Sequence, residues 1–263
     1  MTSLSVLERF IDYSDRLRDS LAARENVIGL VLVGSTAEHS RVDEWSDHDF
    51  FVITKEGFAE SMRQDLSWLP DRDRVVLAPR ETDNGLKVVY ADSHVLEFAV
   101  FEDSELELAG VNSYAVTLDR TNITERMAVI AARPAQKPYL FDREWQLFLS
   151  LLLIGVGRAR RGEVLIAGQF VRSYCLNHVL GFVRHWQSPL AGTENKEDSF
   201  NRYRRFEQQY PEIGARLEQL SHLPVEQAGE AYLKFALEMG AAKLTEEQRA
   251  AADLIADRFG WAL

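Results

Sequence analysis

Two different hydrophobic periods divide the chain. In residues 4–23, apolar residues recur with helical spacing, which predicts an amphipathic helix. Residues 27–33 are instead a continuous apolar run rich in β-branched residues and ended by Gly34, which is typical of a buried central strand. A helix is predicted over residues 58–69 because Pro70 closes its pattern. Further short apolar runs predict strands at residues 49–54, 75–78, 86–91, 95–101 and 114–118.

Helical patterns replace strand patterns in the second half of the chain. Pro134 and Pro138 mark the change, so the domain boundary is predicted near residue 140. The fold class predicted is therefore α+β, with a mixed β-sheet domain and flanking helices over residues 1–140 and a helical bundle domain over residues 141–263. The helices predicted in the bundle are residues 143–161, 164–186, 202–220, 225–242 and 245–259.

Composition excludes several classes of protein. The chain has 263 residues and a formal net charge of −11, and its single cysteine, Cys175, cannot form an internal disulfide. The first residues lack the basic and apolar regions of a signal peptide, and the best apolar run, residues 147–156, is far shorter than a bilayer span of about 18 to 20 residues. We therefore expect a cytoplasmic protein that does not reside in a membrane.

The acidic balance bears on the partner. A negatively charged surface repels phosphate backbones, so a nucleic-acid partner is disfavoured. A small molecule is favoured, and a cationic one would be attracted. The oligomeric state stays open, with a homodimer among the options.

The first candidate for chemistry is the turn after the predicted strand 27–33. Gly34 would let a phosphate approach the backbone closely, and Ser35 adds a hydroxyl beside the unpaired amides of a helix start. The alternative is a capping box, because Ser35 and Glu38 have the Ser-x-x-Glu spacing.

Two aspartates precede the next buried strand. Asp47 and Asp49 are two positions apart, so on a strand both side chains point to one face, at a distance that divalent ions can bridge. The alternative is a solvated turn that leads into the strand. The apolar run 50–53 favours the first interpretation, because it places the acids at the mouth of a buried strand.

A third acid interrupts a later apolar strand. Glu97 lies within residues 95–101, where an isolated carboxylate would be costly to desolvate unless it faced a cation or a wet cleft. The alternative is a charge on the solvent face of an edge strand. His48, between the two aspartates, is interpreted as structural because it points away from both.

These residues carry a family resemblance. Gly34-Ser35, Asp47-His48-Asp49 and an acid on a later strand resemble the nucleotidyltransferase superfamily typified by DNA polymerase β. Within that superfamily the chain looks most like the small bacterial lincosamide and aminoglycoside adenylyltransferases. The length, the order of sheet domain and helices, and residues 155–163, which look like a helix junction of that family, support this choice.

The resemblance implies a role for each matching residue. Asp47, Asp49 and Glu97 would be the catalytic acids and would bind Mg²⁺, with Glu97 as metal ligand, as base for the acceptor hydroxyl, or as both. Gly34 and Ser35 would hold the triphosphate. Arg161 is the candidate cation from the helical domain, although an arginine run at a helix C-terminus also complements the helix dipole. The nucleotide and acceptor are expected in a cleft between the two domains.

The function expected from these residues is Mg²⁺-dependent transfer of a nucleoside monophosphate, AMP from ATP, to a hydroxyl of a small molecule. The acceptor class extends to lincosamide and aminoglycoside antibiotics, and pyrophosphate is released. One alternative is an enzyme that modifies proteins with AMP, although the related enzymes of that kind are shorter and lack the bundle. A second is a regulatory nucleotide-binding module without catalysis. The sequence determines neither the acceptor nor the nucleotide base.

Overall fold

The structure, a computed structural model, describes residues 5–133, 138–198 and 200–263. The described residues up to 133 form one compact unit, and those from 138 onward form a second. Pro134 and the start of the helix predicted from residue 4 lie outside the described residues.

The first unit is built on a six-stranded mixed sheet. Its strand order is β3-β4-β5-β2-β1-β6, in which β2 and β5 are parallel and the remaining neighbours are antiparallel. The central strands are apolar on both faces, which is why they are covered by helices on each side. The strands are β1 (Val27–Val33), β2 (His48–Thr54), β3 (Val75–Leu77), β4 (Gly85–Tyr90), β5 (Val95–Glu102) and β6 (Tyr114–Asp119).

Helices cover both faces of this sheet. On one face, the apolar stripe of α1 (Val6–Ala22) packs with alternate residues of the central strands into a buried core. A reciprocal capping box between Ser5 and Glu8 fixes the start of α1. On the other face, α4 (Ile123–Ala131) packs against β1 and β2 in a smaller core. This unit also contains the short helices α2 (Gly34–Ala37) and α3 (Ala59–Gln64).

The predicted helix 58–69 is wrong in its C-terminal half. Helix α3 ends at Gln64, and Asp65 is extended instead. The carboxylate of Asp65 accepts hydrogen bonds from the amide and hydroxyl of Ser67, which forms a side-chain turn that competes with the helix. Trp68 then folds back, and its indole N–H donates to the carbonyl of Met62.

The second unit contains only helices among its described elements. Its core is formed by large aromatic and aliphatic side chains on six of the helices and on a π-helical segment, Gln169–Cys175. Together with the sheet of the first unit, this arrangement confirms the predicted α+β fold class with a helical C-terminal region. The helices are α5 (Phe141–Arg160), α6 (Val164–Gly168), α7 (Leu176–Trp186), α8 (Phe206–Gln209), α9 (Pro211–Ser221), α10 (Val225–Met239) and α11 (Glu246–Phe259).

Two predicted bundle helices differ in the structure. The pattern over residues 164–186 continues as helix, but the π-helical segment separates α6 from α7. The helix predicted over residues 202–220 is broken into α8 and α9 at Tyr210, because the residue before Pro211 is driven out of the helical region. None of the helices in the described ranges has the length and apolar character needed to cross a bilayer.

The π-helical segment packs closely on α5. A β-carbon at Gly155 would lie 2.8 Å from the Cβ of Phe170 and 3.1 Å from a methyl group of Val171. A β-carbon at Gly157, two residues later in the same helix, would meet nothing within 4 Å. Of these two glycines, only Gly155 is therefore required by packing.

We expect opposite effects of alanine at these two positions. Gly155→Ala overpacks the contact and should destabilise the second unit by about 1 to 3 kcal/mol. Gly157→Ala is the matched control, and it should be neutral or stabilising by up to about 1 kcal/mol, since alanine favours the helix. Urea denaturation followed by circular dichroism measures both. Equal stability of the two variants would contradict the close packing at Gly155.

Candidate active site

Three carboxylates converge at one end of the sheet in the first unit. Asp47, Asp49 and Glu97 each offer an oxygen atom, and these atoms all lie within 4.8 Å of one another. Asp49 lies in β2, Asp47 directly precedes that strand, and Glu97 lies in β5. The parallel pairing of β2 with β5 places Asp49 beside Glu97 in the register. Residues 48 apart in sequence are thus brought together by one strand pair.

Side-chain alternation directs the acids to one face. His48 and Phe50 are buried on the face that α1 covers, so Asp47 and Asp49 point to the opposite face. In β5, Leu96 and Phe98 are buried in the same way, and Glu97 points away from them. The apolar residues on either side of each acid therefore determine where the carboxylate points.

Glu97 is more exposed than its place within an apolar strand predicts. Its side chain has 48% of its surface accessible, although β5 lies between β4 and β2 and is not an edge strand. Across the antiparallel register, Lys87 lies opposite Glu97, with its Nζ 3.7 Å from Glu97 Oε2 and 2.8 Å from Glu81 Oε1. The carboxylate therefore faces water and a cation, so the expected large burial cost does not arise.

The donor set fits a hard divalent cation. All three residues offer carboxylate oxygens, which Mg²⁺ and Ca²⁺ prefer, and no sulfur or imidazole ligand is among them. Three acids this close repel one another unless a positive charge lies between or beside them. Lys87 supplies a single charge from one side, at a longer distance than it keeps to Glu81. A divalent ion at the three acids would neutralise more of this repulsion.

The turn after β1 approaches the acids closely. Gly34 has φ +60°, a backbone conformation that favours glycine, and its amide donates to the carbonyl of Ser113, 3.1 Å away. A β-carbon at Gly34 would lie 2.9 Å from Asp49 Oδ2. Glycine is therefore needed here both for the backbone and for the space beside the carboxylate.

Ser35 lies in the four-residue helix α2 directly after this glycine. The alternative that Ser35 and Glu38 form a capping box is not supported, because α2 begins at Gly34, before Ser35, and its start has no side-chain cap. Glu38 instead forms an ion pair with Arg41 at 2.8 Å.

Thr36 supports Asp49 in a way that the sequence analysis missed. Its side chain is completely buried, and its Oγ1 accepts a hydrogen bond of 2.8 Å from the Asp49 amide. Arg41 and Ser113 were missed as well. Arg41 donates to the Ser113 hydroxyl at 3.0 Å, and that hydroxyl lies 3.2 Å from the Gly34 carbonyl and donates to it. No spacing rule marks these three residues, because their partners are distant in sequence or belong to an irregular turn.

His48 anchors the strand of the two aspartates to α1. It is 1% exposed, its Nε2 lies 3.0 Å from the Phe10 carbonyl, and its Nδ1 lies 2.7 Å from His94 Nε2. The Phe10 ring stacks on it at 3.6 Å. Burial lowers the pKa of His48 to about 3, and the neighbouring His94 adds to this effect. His48 is therefore neutral at physiological pH and fixes the strand without adding charge.

Arg161 belongs to the second unit, at the C-terminal end of α5. Its side chain is 63% exposed and pairs with Glu163 at 3.0 Å. Arg158 also pairs with Glu163, and Arg160 pairs with Glu226. The position at a helix C-terminus fits the dipole interpretation, and a role of Arg161 in nucleotide binding stays a prediction.

No family model and no curated protein matches this chain. Among solved structures, it is similar to an aminoglycoside 6-adenyltransferase from Bacillus subtilis, with 14% identity, a TM-score of 0.36, and coverage of 98% of this chain and 99% of that one.

Two further solved structures are similar to the chain. One is a nucleotidyltransferase-like protein from Exiguobacterium sibiricum 255-15, with 14% identity, a TM-score of 0.34, and coverage of 88% of this chain and 74% of that one. The other is a complex of CdnC and HORMA-deltaN from E. coli MS115-1, with 13% identity, a TM-score of 0.33, and coverage of 94% and 88%.

Loss of one aspartate should weaken divalent-ion binding. We expect Asp47→Asn and Asp49→Asn to reduce Mn²⁺ affinity by about 10-fold or more, since each removes a charged oxygen ligand. Mn²⁺, a paramagnetic substitute for Mg²⁺, can be titrated by electron paramagnetic resonance. Glu125→Gln is the control, because it removes one exposed charge from α4 in the same unit. Wild-type affinity in both aspartate variants would contradict the metal site.

Thr36→Val should show how much the hydrogen bond to Asp49 contributes. The substitution keeps the shape of the side chain but removes the acceptor of a buried amide, so we expect a loss of about 1 to 3 kcal/mol in the free energy of unfolding. Thr36→Ser keeps the hydroxyl and should lose less than Thr36→Val. Urea denaturation compares the three proteins, and a larger loss in the serine variant would contradict this role.

Proposed function

We propose that this chain is a Mg²⁺-dependent nucleotidyltransferase that transfers AMP from ATP to a hydroxyl group of a small molecule and releases pyrophosphate. The observation that carries the proposal is the convergence of Asp47, Asp49 and Glu97 within 4.8 Å beside the Gly34 turn. The resemblance of the same residues to the DNA polymerase β-like superfamily supports it.

The three acids and the turn at Gly34 have separate roles in the proposed reaction. Asp47, Asp49 and Glu97 would hold Mg²⁺, which neutralises the phosphate oxygens and stabilises the pyrophosphate leaving group. Gly34 and Ser35 would bind the triphosphate, since Gly34 carries no side chain beside Asp49 and Ser35 adds a hydroxyl donor. The nucleotide phosphates would then lie beside the metal ligands.

Glu97 has a second role within the proposal. It is the most exposed of the three acids, so an acceptor hydroxyl can reach it from solvent. A carboxylate within hydrogen-bond distance of that hydroxyl can take its proton as the hydroxyl attacks the α-phosphorus. Lys87 lies near this carboxylate, with its Nζ 3.7 Å from Glu97 Oε2. Glu97 thus combines a base with a metal ligand, and the two functions can be separated by experiment.

The acceptor is proposed as a small hydroxylated molecule of the lincosamide or aminoglycoside type. The net charge of −11 favours a neutral or cationic acceptor over a nucleic acid. Modification of a protein hydroxyl uses the same chemistry, so protein acceptors belong in the same experiment.

The transfer assay uses α-labelled ATP, GTP, CTP and UTP with Mg²⁺ and a panel of lincosamides, aminoglycosides and proteins. We expect label from ATP to appear on a small molecule, with the release of pyrophosphate, and to disappear when Mg²⁺ is chelated. Binding of labelled ATP without transfer to any acceptor would favour a regulatory nucleotide-binding module. Label on protein alone would favour a protein-modifying enzyme.

Three substitutions separate the roles of the acids. Asp47→Asn and Asp49→Asn should lower Mg²⁺-dependent turnover by several orders of magnitude and leave the fold intact. Glu125→Gln should leave the turnover unchanged. If Glu97 acts mainly as the base, Glu97→Gln should keep Mn²⁺ and nucleotide affinity and lower the single-turnover rate by about 10² to 10⁴. If it acts mainly as a ligand, Mn²⁺ affinity should fall as well. Near-wild-type transfer by Glu97→Gln would exclude both roles.

A further inference from the structure

The second unit contains a cavity lined by none of the residues assigned to the transfer reaction. It is open to solvent, and its volume is about 550 Å³, which is in the range of small-molecule sites. All of its lining residues belong to the second unit. We call it the helical pocket, and the lining residues that matter for its chemistry are Leu151, Arg172, Tyr174, Asn177, His178 and Tyr203.

A π-helical segment forms one wall of the helical pocket. Arg172 and Tyr174 lie within Gln169–Cys175, and Asn177 and His178 follow directly in α7. Insertions of this kind occur frequently at functional sites, because they cost helix stability and are kept when they redirect side chains. Here the segment turns polar and aromatic side chains toward one cavity.

A buried cluster of charged side chains contacts His178, one of the lining residues of the pocket. Glu144 accepts hydrogen bonds from His178 Nδ1 at 2.9 Å and from Arg202 at 3.0 Å, and all three side chains are less than one fifth exposed. Burial lowers the pKa of His178. A neutral His178 that donates from Nδ1 to Glu144 keeps Nε2 as an acceptor. His178 therefore offers the pocket an oriented hydrogen-bond acceptor.

The hydroxyl of Tyr232 adds a polar group beside the pocket. Tyr232 is completely buried, and its hydroxyl has no hydrogen-bond partner among the residues that the structure describes. Burial raises the pKa of this hydroxyl, and Tyr203 and Arg172, two of the lining residues, are near enough to affect that pKa. A buried hydroxyl without a hydrogen-bond partner lowers the stability of a protein by about 1 to 3 kcal/mol.

The lining favours a neutral ligand with a ring and several hydroxyl groups. Tyr174 and Tyr203 are 42% and 38% exposed. Together with Leu151 they offer aromatic and aliphatic surface on which the apolar face of a ligand ring can pack. Asn177 and His178 offer donors and acceptors for hydroxyls. Arg172 donates to the carbonyls of Ser221 and Leu223 and has no carboxylate partner within the described ranges, so its charge opposes a cation.

We propose that the helical pocket is a binding site for a neutral, polyhydroxylated ring such as a sugar or cyclitol. The apolar face of the ring would pack on the tyrosines, and its hydroxyls would bond to Asn177 and His178. This proposal does not rest on the transfer reaction, because the site lies within the second unit and binding is measured without nucleotide.

The test is saturation-transfer NMR on the full chain with four probes. Methyl α-D-glucopyranoside and myo-inositol are neutral, methyl α-D-glucosaminide is cationic, and methyl α-D-glucuronide is anionic. We expect at least one neutral probe to bind with a dissociation constant of about 1 to 10 mM and about 5-fold or more tightly than both charged probes. No binding of either neutral probe, or tighter binding of a charged probe, would overturn the proposal.

Variants locate the binding within the pocket. Tyr174→Ala should weaken binding of the neutral probe about 5-fold or more, whereas Tyr174→Phe keeps the ring and should stay within about 2-fold of wild type. Asn177→Asp adds a negative charge and should shift preference toward the cationic probe. Asp49→Asn should leave probe binding unchanged, so this proposal and the transferase proposal fail independently. Equal binding by the alanine variant and wild type would place the ligand elsewhere.

Discussion

The parallel pairing of β2 with β5 is the constraint on which the candidate active site depends. It places Asp49 of one strand beside Glu97 of another, and Asp47 follows because it directly precedes β2. Neighbouring elements support this pair. Helix α1 covers the face away from the acids, and β1 and β4 flank the two strands. Asp49 and Glu97 are thus carried by strands, which keep carboxylates at a fixed separation better than loops do.

The sequence predicts the elements of this unit well because their apolar patterns are strong. The run 27–33 and the strand around Phe50 and Phe51 are buried or nearly so, and no local signal competes with the strand interpretation. Alternation along a strand predicts that Asp47 and Asp49 share one face, whereas the parallel pairing that brings Glu97 beside Asp49 appears only in the structure. The α3 helix was predicted too long because Asp65 and Ser67 form a local turn that a hydrophobic period does not register.

What the sequence could not predict depends on contacts between distant residues. No sequence pattern marks Thr36, yet its hydroxyl accepts a hydrogen bond from the backbone amide of Asp49. The same holds for Ser113, whose hydroxyl and carbonyl bond to Gly34 across 79 positions. In the second unit, the π-helical segment keeps an ordinary helical pattern in its residues, so neither its altered hydrogen bonding nor its close packing on α5 at Gly155 can be predicted from that pattern.

The alternation of His48 with the two aspartates has a consequence for folding. A slip of β2 by one residue against its neighbours would turn both aspartates into the core beneath α1 and expose His48 and Phe50. Burying two unpaired carboxylates costs far more than the small free-energy differences that usually separate neighbouring pairings. The acids thus penalise misregistered states during assembly of the sheet. This effect needs no bound ligand, so the same acids can form the candidate site and fix the register of the sheet.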